Sequence, residues 1–269
     1  MTKSDPRIVA TAAPVADKSG PTGGVLAGKR ALITGGSRGI GRGIVDGFLA
    51  AGAMVATCGR GDRPGDLPDA VSWHILDVAG PVAVGALIAG LGPLDILVNN
   101  AGVQVEKTTT DSSDADWDAV IGTNCRGVFN MCRAAIPIMN SGGSIINIGS
   151  ISGHAADPSM ALYNASKAFV HGLTRSIAVD HGADVRCNAI CPGWIETGML
   201  DAGFDLANDP AAARADAQSR HPVGRFGRPG DIAAMAVWLA SDAAGFANGQ
   251  MFTIDGGMTA ASPIQPGAQ

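Results

Sequence analysis

The chain has 269 residues, of which 46% are hydrophobic and 16% charged, and its formal net charge at pH 7 is −5. This length and apolar content suit one large domain, and the acidic balance argues against a nucleic-acid-binding surface. No apolar run in the sequence approaches the roughly 18 residues of a membrane span, and the first residues lack the apolar segment of a secretory signal. We therefore expect a cytoplasmic protein that acts on a small molecule and has no membrane partner.

The first part of the chain differs in composition from the rest. Residues 1–27 are rich in Ala, Pro, Thr and Gly, which is typical of a flexible tail, and residues 28–269 are expected to form one folded domain. The five cysteines form no C-x-x-C pair, and no histidine cluster lies at ligand spacing from them. We expect reduced thiols and no metal site.

From Lys29 onward, short apolar segments rich in Val and Ile alternate with longer helical patterns. The predicted strands are 30–35, 54–58, 71–76, 94–100, 144–149, 185–192 and 251–255. The predicted helices are 39–51, 80–91, 114–139, 160–181 and 229–241. Nearly continuous apolar strands are expected where helices cover both faces of a parallel sheet. The alternation therefore predicts a single α/β domain with a Rossmann-type, doubly wound parallel sheet of about seven strands.

Two segments interrupt this alternation. Residues 59–70 contain two prolines and three glycines, too many for a full crossover helix. Residues 198–228 form an insertion before the last helix, and Asn208–Asp209–Pro210 within it predicts a short helix with Pro in its first turn. An insertion at the carboxyl edge of such a sheet is a candidate lid over a bound ligand.

A glycine-rich turn joins the first predicted strand to the first helix. In "ITGGSRGIGRGI" (33–44), Gly35, Gly39 and Gly41 give the spacing G-x-x-x-G-x-G. Glycine at such positions permits a tight turn, lets the backbone approach a pyrophosphate, and lets the helix pack closely on the strand. The free N–H groups at the start of the helix favour an anion. The turn, including Ser37, Arg38 and Ile40, is therefore predicted to bind a dinucleotide.

The residues after the second strand bear on which dinucleotide is bound. An NAD enzyme usually places an acid about 20 residues beyond the glycine turn, but Gly59 and then Arg60 occupy that region. Arg38 adds a second guanidinium, and two guanidiniums suit a 2′-phosphate. We favour NADP, while NAD stays possible because Asp62 could fold back toward the ribose.

Further cofactor contacts are expected where the third and fourth strands end. Asp77 is a candidate acceptor for the adenine amino group, and "NNAG" (99–102) is expected to lie beside the adenosine. The candidate residues in these two places are Asp77, Val78, Asn99, Ala101 and Gly102.

Six motifs in order resemble the short-chain dehydrogenase/reductase family. They are "TGGSRGIG" (34–41), "NNAG" (99–102), Asn124, Ser150, "YNASK" (163–167) and "PGWIET" (192–197). The resemblance covers about Lys29 to Met258 and includes "GQMFTIDGG" (249–257), which matches the usual final strand. The shortened segment 59–70 is the one departure from the family pattern, and it affects the adenine-ribose pocket.

The resemblance implies a mechanism that uses Asn124, Ser150, Tyr163 and Lys167. Tyr163, the only tyrosine in the chain, would act as the acid or base, although an ordinary phenol titrates near 10. Lys167 lies one helical turn later and would lower the pKa of that phenol. Ser150 would hydrogen-bond the substrate oxygen, and Asn124 would hold a water that connects Lys167 to solvent.

The resemblance also implies contacts beyond these four residues. Tyr163 and Lys167 would bind the cofactor as well, and "PGWIET" would cover the nicotinamide side through Pro192, Gly193, Ile195 and Thr197. The candidate substrate contacts are Ser150, His154, Tyr163, Trp194 and Met199. Helices 114–139 and 160–181 are expected to pair with neighbouring subunits in a homotetramer or homodimer.

The expected function is an oxidoreductase that transfers a hydride between NADP(H) and a carbonyl or secondary alcohol on a small or medium, mainly apolar substrate. A 3-oxoacyl-thioester reductase and an NAD-dependent dehydrogenase of a cyclic alcohol or diol stay open as alternatives. A non-catalytic dinucleotide sensor would be expected to lose Tyr163 or Lys167, and both are present. A lyase or epimerase on the same scaffold is a further alternative, because one fold hosts many reactions.

Overall fold

The computed structural model describes residues 23–260, so most of the predicted tail and the last nine residues of the 269 lie outside the described part. The strands are β1 (Arg30–Thr34), β2 (Met54–Gly59), β3 (Ser72–Ile75), β4 (Leu94–Asn99), β5 (Met139–Ile148), β6 (Val185–Pro192) and β7 (Met251–Ile254). They form one seven-stranded sheet in the order β3-β2-β1-β4-β5-β6-β7. Each neighbouring pair is parallel, which confirms the predicted doubly wound sheet.

The helices cover both faces of this sheet. They are α1 (Gly39–Ala50), α2 (Pro81–Leu91), α3 (Asp114–Ile121), α4 (Val128–Ala135), α5 (Ala161–His181), α6 (Gly198–Phe204), α7 (Pro210–Ser219) and α8 (Pro229–Ala240). Successive strand residues face opposite sides, so Ile33 and Ile96 pack in one core while Leu32 and Leu97 pack in the other. The first core includes side chains of α1 and α8, and the second includes side chains of α2, α4 and α5.

The prediction of one helix over residues 114–139 is wrong in two respects, because the helix is interrupted and ends before residue 139. A π-helical turn at Gly122–Gly127 separates α3 from α4, and a short 3-10 turn at Ile136–Ile138 follows α4. Pro137 cannot donate a backbone hydrogen bond to a continuing helix, and β5 begins at Met139 rather than at the predicted residue 144. Since Asn124 lies in the π-helical turn, this irregularity belongs to the candidate site.

The two interruptions of the pattern have different outcomes. Residues 60–70 contain no helix, as predicted, and the Arg63 guanidinium orders this loop by donating to the carbonyls of Leu67, Pro68 and Val71. In the insertion, Asp209 caps the predicted short helix, α7, with Pro210 in its first turn. A second helix, α6, was not predicted.

The start of the domain lies earlier than the sequence indicates. Leu26 is fully buried in the first core, and its N–H donates to the carbonyl of Ala51 at 2.9 Å. The packed core therefore includes Leu26, which the sequence analysis placed in the tail of residues 1–27. In the part that the structure describes, none of the helices combines the length and the hydropathy needed to span a membrane.

Candidate active site

The glycine turn lies at the carboxyl edge of β1 and is closely packed. Gly35 and Gly39 have positive φ angles of 71° and 57°, a region that glycine enters without steric cost. A Cβ on Gly41 would lie 2.3 Å from both the Asn100 side-chain nitrogen and the Gly35 carbonyl oxygen. The close packing of helix on strand that the sequence predicts is therefore present.

The first amides of α1 are available to an anion. The first backbone bond of this helix runs from Arg42 N to Arg38 O at 3.2 Å, and within residues 23–260 the amides at 39–41 donate to no backbone acceptor. The first turn carries no acidic residue. Ser37 and Ile40 are half-buried in this turn. These residues fit the pyrophosphate of a dinucleotide, because unpaired N–H groups and the helix dipole both favour negative charge.

The segment after β4 is tied to the glycine turn by Thr34 and Asn100, which the sequence analysis did not identify. The Thr34 hydroxyl accepts from the amides of Asn100 and Ala101 at 3.0 and 2.9 Å. The Asn100 amide donates to the carbonyls of Thr34 and Gly35 at 2.9 and 3.1 Å. These four bonds fix the distance between two loops of the predicted cofactor site.

Asn99 is a predicted cofactor contact, but its side chain forms a hydrogen bond to the neighbouring strand. Its amide is buried and donates to Asn147 at 2.8 Å, which leaves its backbone as the part that a cofactor could contact. Gly102 follows in the same loop, and a Cβ there would lie 3.4 Å from the Asn124 oxygen. The loop therefore connects the glycine turn to the π-helical turn.

At the adenine end, both predicted arginines are exposed. Thr34 of β1 is in register with Cys58 of β2, so Arg38 and Arg60 follow adjacent strand ends. Neither guanidinium forms an ion pair within the described residues 23–260. A Cβ on Gly59 would lie 2.7 Å from the Trp73 ring, so the tryptophan leaves no room there for an acidic side chain.

Asp77 and Val78 lie between β3 and the start of α2. The Asp77 carboxylate is exposed and accepts from the Ala79 amide at 2.9 Å. Val78 is buried, and its methyl group would lie 2.5 Å from a Cβ on Gly127. Val78 therefore packs against the π-helical turn, while Asp77 keeps an oxygen open toward solvent.

Ser150, Tyr163 and Lys167 come together where β5 ends. Lys167 is buried under α5, and its ammonium donates to the Ile148 carbonyl at 2.8 Å. The Lys167 nitrogen lies 5.4 Å from the centroid of the Tyr163 ring, as expected for residues one turn apart. Burial lowers the pKa of Lys167 to about 8, against the opposing influence of Cys191 and Cys125.

The pKa of Tyr163 differs from the expectation. Burial raises it to about 12, a hydrogen bond with Ser150 acts in the lowering direction, and the charge of Asp157 raises it further. In the protein without ligand the net shift is upward because desolvation of the phenolate is the largest effect, and the lowering expected from Lys167 stays a prediction.

Ser150 is oriented by a chain of hydroxyl groups that the sequence analysis missed. The Ser150 hydroxyl accepts from the Ser152 amide at 3.1 Å and lies 3.0 Å from the Ser152 hydroxyl. Ser152 in turn donates to the Asp157 carboxylate at 2.5 Å. In the sequence, the pattern S-x-S at 150–152 is the one local signal for this series of hydrogen-bonded side chains. The position of Asp157 has no such local signal, because it depends on the loop before α5.

Asn124 holds the backbone of the loop after β4. Its side-chain oxygen accepts from the Val103 amide, and its nitrogen donates to the Val103 carbonyl, both at 2.9 Å. The same nitrogen donates to the Ser166 hydroxyl at 3.0 Å. The Asn124 side chain is thus used in positioning, and its role in a water path to Lys167 stays a prediction.

The segment after β6 brings the "PGWIET" residues to the glycine turn. The Thr197 methyl group would lie 3.2 Å from a Cβ on Gly39, so Thr197 closes the gap between the two loops. Gly193 sits where a Cβ would lie 2.8 Å from Asp255. Pro192 and Ile195 are buried, which leaves their backbone as the part that a cofactor could meet.

An aromatic cluster lies between this segment and the insertion. Trp194 stacks on Phe226 with centroids 6.3 Å apart and contacts Phe204 of α6 at 5.7 Å. Arg214 of α7 covers Phe204 and Phe226 at 5.6 and 5.2 Å and bonds to Asp201 at 2.8 Å. The insertion is therefore anchored on Trp194.

The two other predicted substrate contacts are at the surface. Met199 of α6 is 43% exposed, and His154 is exposed beside the Ser150 turn. The His154 ring contacts the His171 ring with centroids 4.5 Å apart. Their contact with substrate stays a prediction.

Comparison with known proteins places this site in a family. The family model described as enoyl-(acyl carrier protein) reductase matches residues 35–259. The 3-oxoacyl-(acyl-carrier-protein) reductase FabG of Thermotoga maritima is 37% identical over 248 residues, covering 87% of this chain and 98% of that protein. The chain belongs to the short-chain dehydrogenase/reductase family.

Two further similar proteins support this family assignment. The NADP-dependent (R)-specific alcohol dehydrogenase of Lentilactobacillus kefiri is 37% identical over 252 residues, covering 87% of this chain and 98% of that protein. The ligand-free structure of aldohexose dehydrogenase from Thermoplasma acidophilum superposes with a TM-score of 0.84 and 32% identity, covering 89% of this chain and 97% of that one. This short-chain dehydrogenase/reductase is therefore an oxidoreductase of alcohol or carbonyl groups, from a family that uses NAD(P)(H).

The packing of the glycine turn makes a prediction for cofactor affinity. Gly41→Ala would place its methyl group against the Gly35 carbonyl, and we expect the dissociation constants of NADPH and NADH both to rise about tenfold or more, which is about 1.4 kcal/mol. Fluorescence titration of each reduced cofactor measures this. Gly85→Ala in α2, where a Cβ meets nothing within 4 Å, is the matched control. Equal affinities for the two variants would contradict the role of the turn.

Proposed function

We propose that the protein interconverts a carbonyl group and a secondary alcohol on a small or medium, mainly apolar substrate with NADP(H) as the cofactor. The observation that carries this proposal is the grouping of Ser150, Tyr163 and Lys167 at the end of β5. That grouping lies at the same sheet edge as the glycine turn, to which Thr197 is packed. A reactive hydroxyl group and a dinucleotide turn therefore face a common space.

The choice of NADP rests on the adenine end of the site. Arg38 and Arg60 would hold the 2′-phosphate through charge-assisted hydrogen bonds. Trp73 blocks the position at Gly59 where an acid would favour NAD. The relative from Lentilactobacillus kefiri is named as NADP-dependent, which supports the same choice.

When it is bound, the nicotinamide supplies the hydride acceptor or donor. For reduction, the Tyr163 hydroxyl donates its proton to the substrate oxygen, and the Ser150 hydroxyl, which donates to Ser152 in the structure, would turn its proton to the same oxygen. The Lys167 ammonium favours the phenolate that remains. The Ser152 amide, which donates to the Ser150 oxygen, keeps that oxygen in place.

We expect the substrate side of the site to be mainly apolar. Trp194, Phe204 and Phe226 form its aromatic cluster, and the cation on that cluster, Arg214, is already paired with Asp201. An aromatic wall with a few polar groups is typical of a site for an apolar ligand. A 3-oxoacyl thioester is a second candidate substrate, favoured by the relative that is named as a 3-oxoacyl-(acyl-carrier-protein) reductase.

We also propose a homo-oligomer built on the face formed by α3, α4 and α5. These helices expose large apolar side chains, namely Trp117, Phe129 and Phe169, at 54%, 42% and 42%. Exposed apolar groups of this size on adjacent elements mark an interaction surface. A homotetramer or a homodimer would cover them.

Replacing the phenol tests the reaction. Tyr163→Phe removes the acidic hydroxyl group and keeps the ring, and we expect turnover to fall by about 10²-fold or more while NADPH affinity changes little. Turnover is measured as cofactor oxidation over a panel of ketones and 3-oxoacyl thioesters, with NADPH and NADH in parallel. Wild-type turnover by this variant on a substrate from the panel would refute the assigned mechanism.

Removing the two exposed arginines tests the cofactor. Arg38→Ala combined with Arg60→Ala should weaken NADPH binding by about tenfold or more, because charge-assisted bonds are lost, and should leave NADH binding nearly unchanged. Arg220→Ala, which removes an exposed guanidinium paired with Asp216, controls for the loss of a surface positive charge away from the predicted cofactor site. A parallel loss of NADPH and NADH affinity would show that the arginines do not read the 2′-phosphate.

A further inference from the structure

The structure brings together two histidines and a cysteine that are distant in sequence. His154 follows the short turn after β5, His171 lies on α5, and Cys191 lies in β6. Their candidate ligand atoms all lie within 4.8 Å of one another. The Cys191 sulfur is 3.1 Å from Nε2 of His171. Because the spacings in sequence are long, the sequence analysis expected no metal site here.

The central histidine is held in place by two glycines. A Cβ on Gly153 would lie 2.4 Å from the His171 ring, and a Cβ on Gly149 would lie 2.6 Å from its Nε2. His171 also forms a hydrogen bond with the backbone of Gly153. A backbone partner of this kind fixes the orientation of a ligating imidazole, so the pocket is shaped around this ring.

The three residues form a path from solvent to the interior. His154 is exposed, whereas His171 and Cys191 are 3% and 0% exposed. The two rings are tilted by 40° to each other, with centroids 4.5 Å apart. A cation could therefore meet His154 first and reach the buried imidazole and thiol after a small rotation of that exposed side chain.

We propose that His154, His171 and Cys191 form a binding site for a thiophilic divalent cation of the zinc class. Two imidazoles and a thiolate suit zinc and exclude magnesium and calcium, which take oxygen ligands. Three protein ligands leave a fourth tetrahedral position for water. Formation of the metal–sulfur bond releases the proton of the Cys191 thiol to solvent, and no electron is transferred.

The charges near the site determine how strongly such a cation is held. Lys167 and Arg175 both interact electrostatically with His171, so the surroundings oppose a dication. The thiolate of Cys191 supplies one compensating negative charge. We therefore infer a site that exchanges its metal with solvent, rather than a permanent structural centre.

Metal binding at these three residues can be distinguished from metal binding elsewhere in the described part of the chain. All five histidines and all five cysteines of the sequence lie within the described residues 23–260, and in that range the three residues are the one group of three His, Cys, Asp or Glu with this geometry. Cys125 is a matched control, because it is buried and also interacts electrostatically with Lys167 but is outside the group.

Titration of the tag-free, full-length protein with Co²⁺ alone tests the site by absorption rather than by activity. We expect one equivalent of Co²⁺ per chain, tetrahedral visible bands and a thiolate-to-cobalt charge-transfer band, all removed by competing Zn²⁺. Cys191→Ser should lose the charge-transfer band, and Cys125→Ser should keep it. His154→Asn should weaken Co²⁺ binding by about tenfold or more.

His154→Asn also covers the case in which Cys191→Ser does not fold, because His154 is exposed and its replacement leaves the core unchanged. No charge-transfer band in the wild type, an unchanged band in Cys191→Ser, or unchanged affinity in His154→Asn would each overturn the proposal. Since these measurements need neither NADP(H) nor a substrate, their outcome is independent of the proposed reaction.

Discussion

The ammonium group of Lys167 is buried beneath α5 and donates to the carbonyl of Ile148, the last residue of β5. Burying a cation is costly unless polar partners replace water, and this carbonyl is such a partner. The bond ties the helix that carries Tyr163 to the strand that leads to Ser150. The spacing of the three reactive groups therefore depends on one charged interaction between a helix and a strand end.

The cofactor side of the site depends on close packing instead of charge. Gly41 and Asn100 hold the turn after β1 against the loop after β4, and Thr197 touches the same turn at Gly39. Asn124 extends the network from that loop to Ser166 on α5. Three loops are joined at one sheet edge, because parallel strands all end there, and the π-helical turn is bonded to one of them. A change in one loop is consequently transmitted to the others.

Local patterns in the sequence predicted the sheet, the glycine turn, the short helix α7 with Pro in its first turn, and the helical spacing of Tyr163 and Lys167. The features that these patterns could not predict depend on contacts between residues that are distant in sequence. The π-helical turn around Asn124 depends on packing against Val78, and the burial that raises the pKa of Tyr163 depends on the whole site. The orientation of Ser150 through Ser152 and Asp157 needs the loop before α5. The approach of His154, His171 and Cys191 needs three separate elements.

A pH titration of the Lys167 side chain by nuclear magnetic resonance tests the account at its centre, with Lys167→Gln used to assign the signal. Burial disfavours the charged form, so the account predicts a midpoint at about 8 and a cation that is largely retained at neutral pH. A midpoint near the ordinary value of 10.5 would show that Lys167 is solvated, and it would contradict the buried bond to Ile148 on which the arrangement of Ser150 and Tyr163 rests.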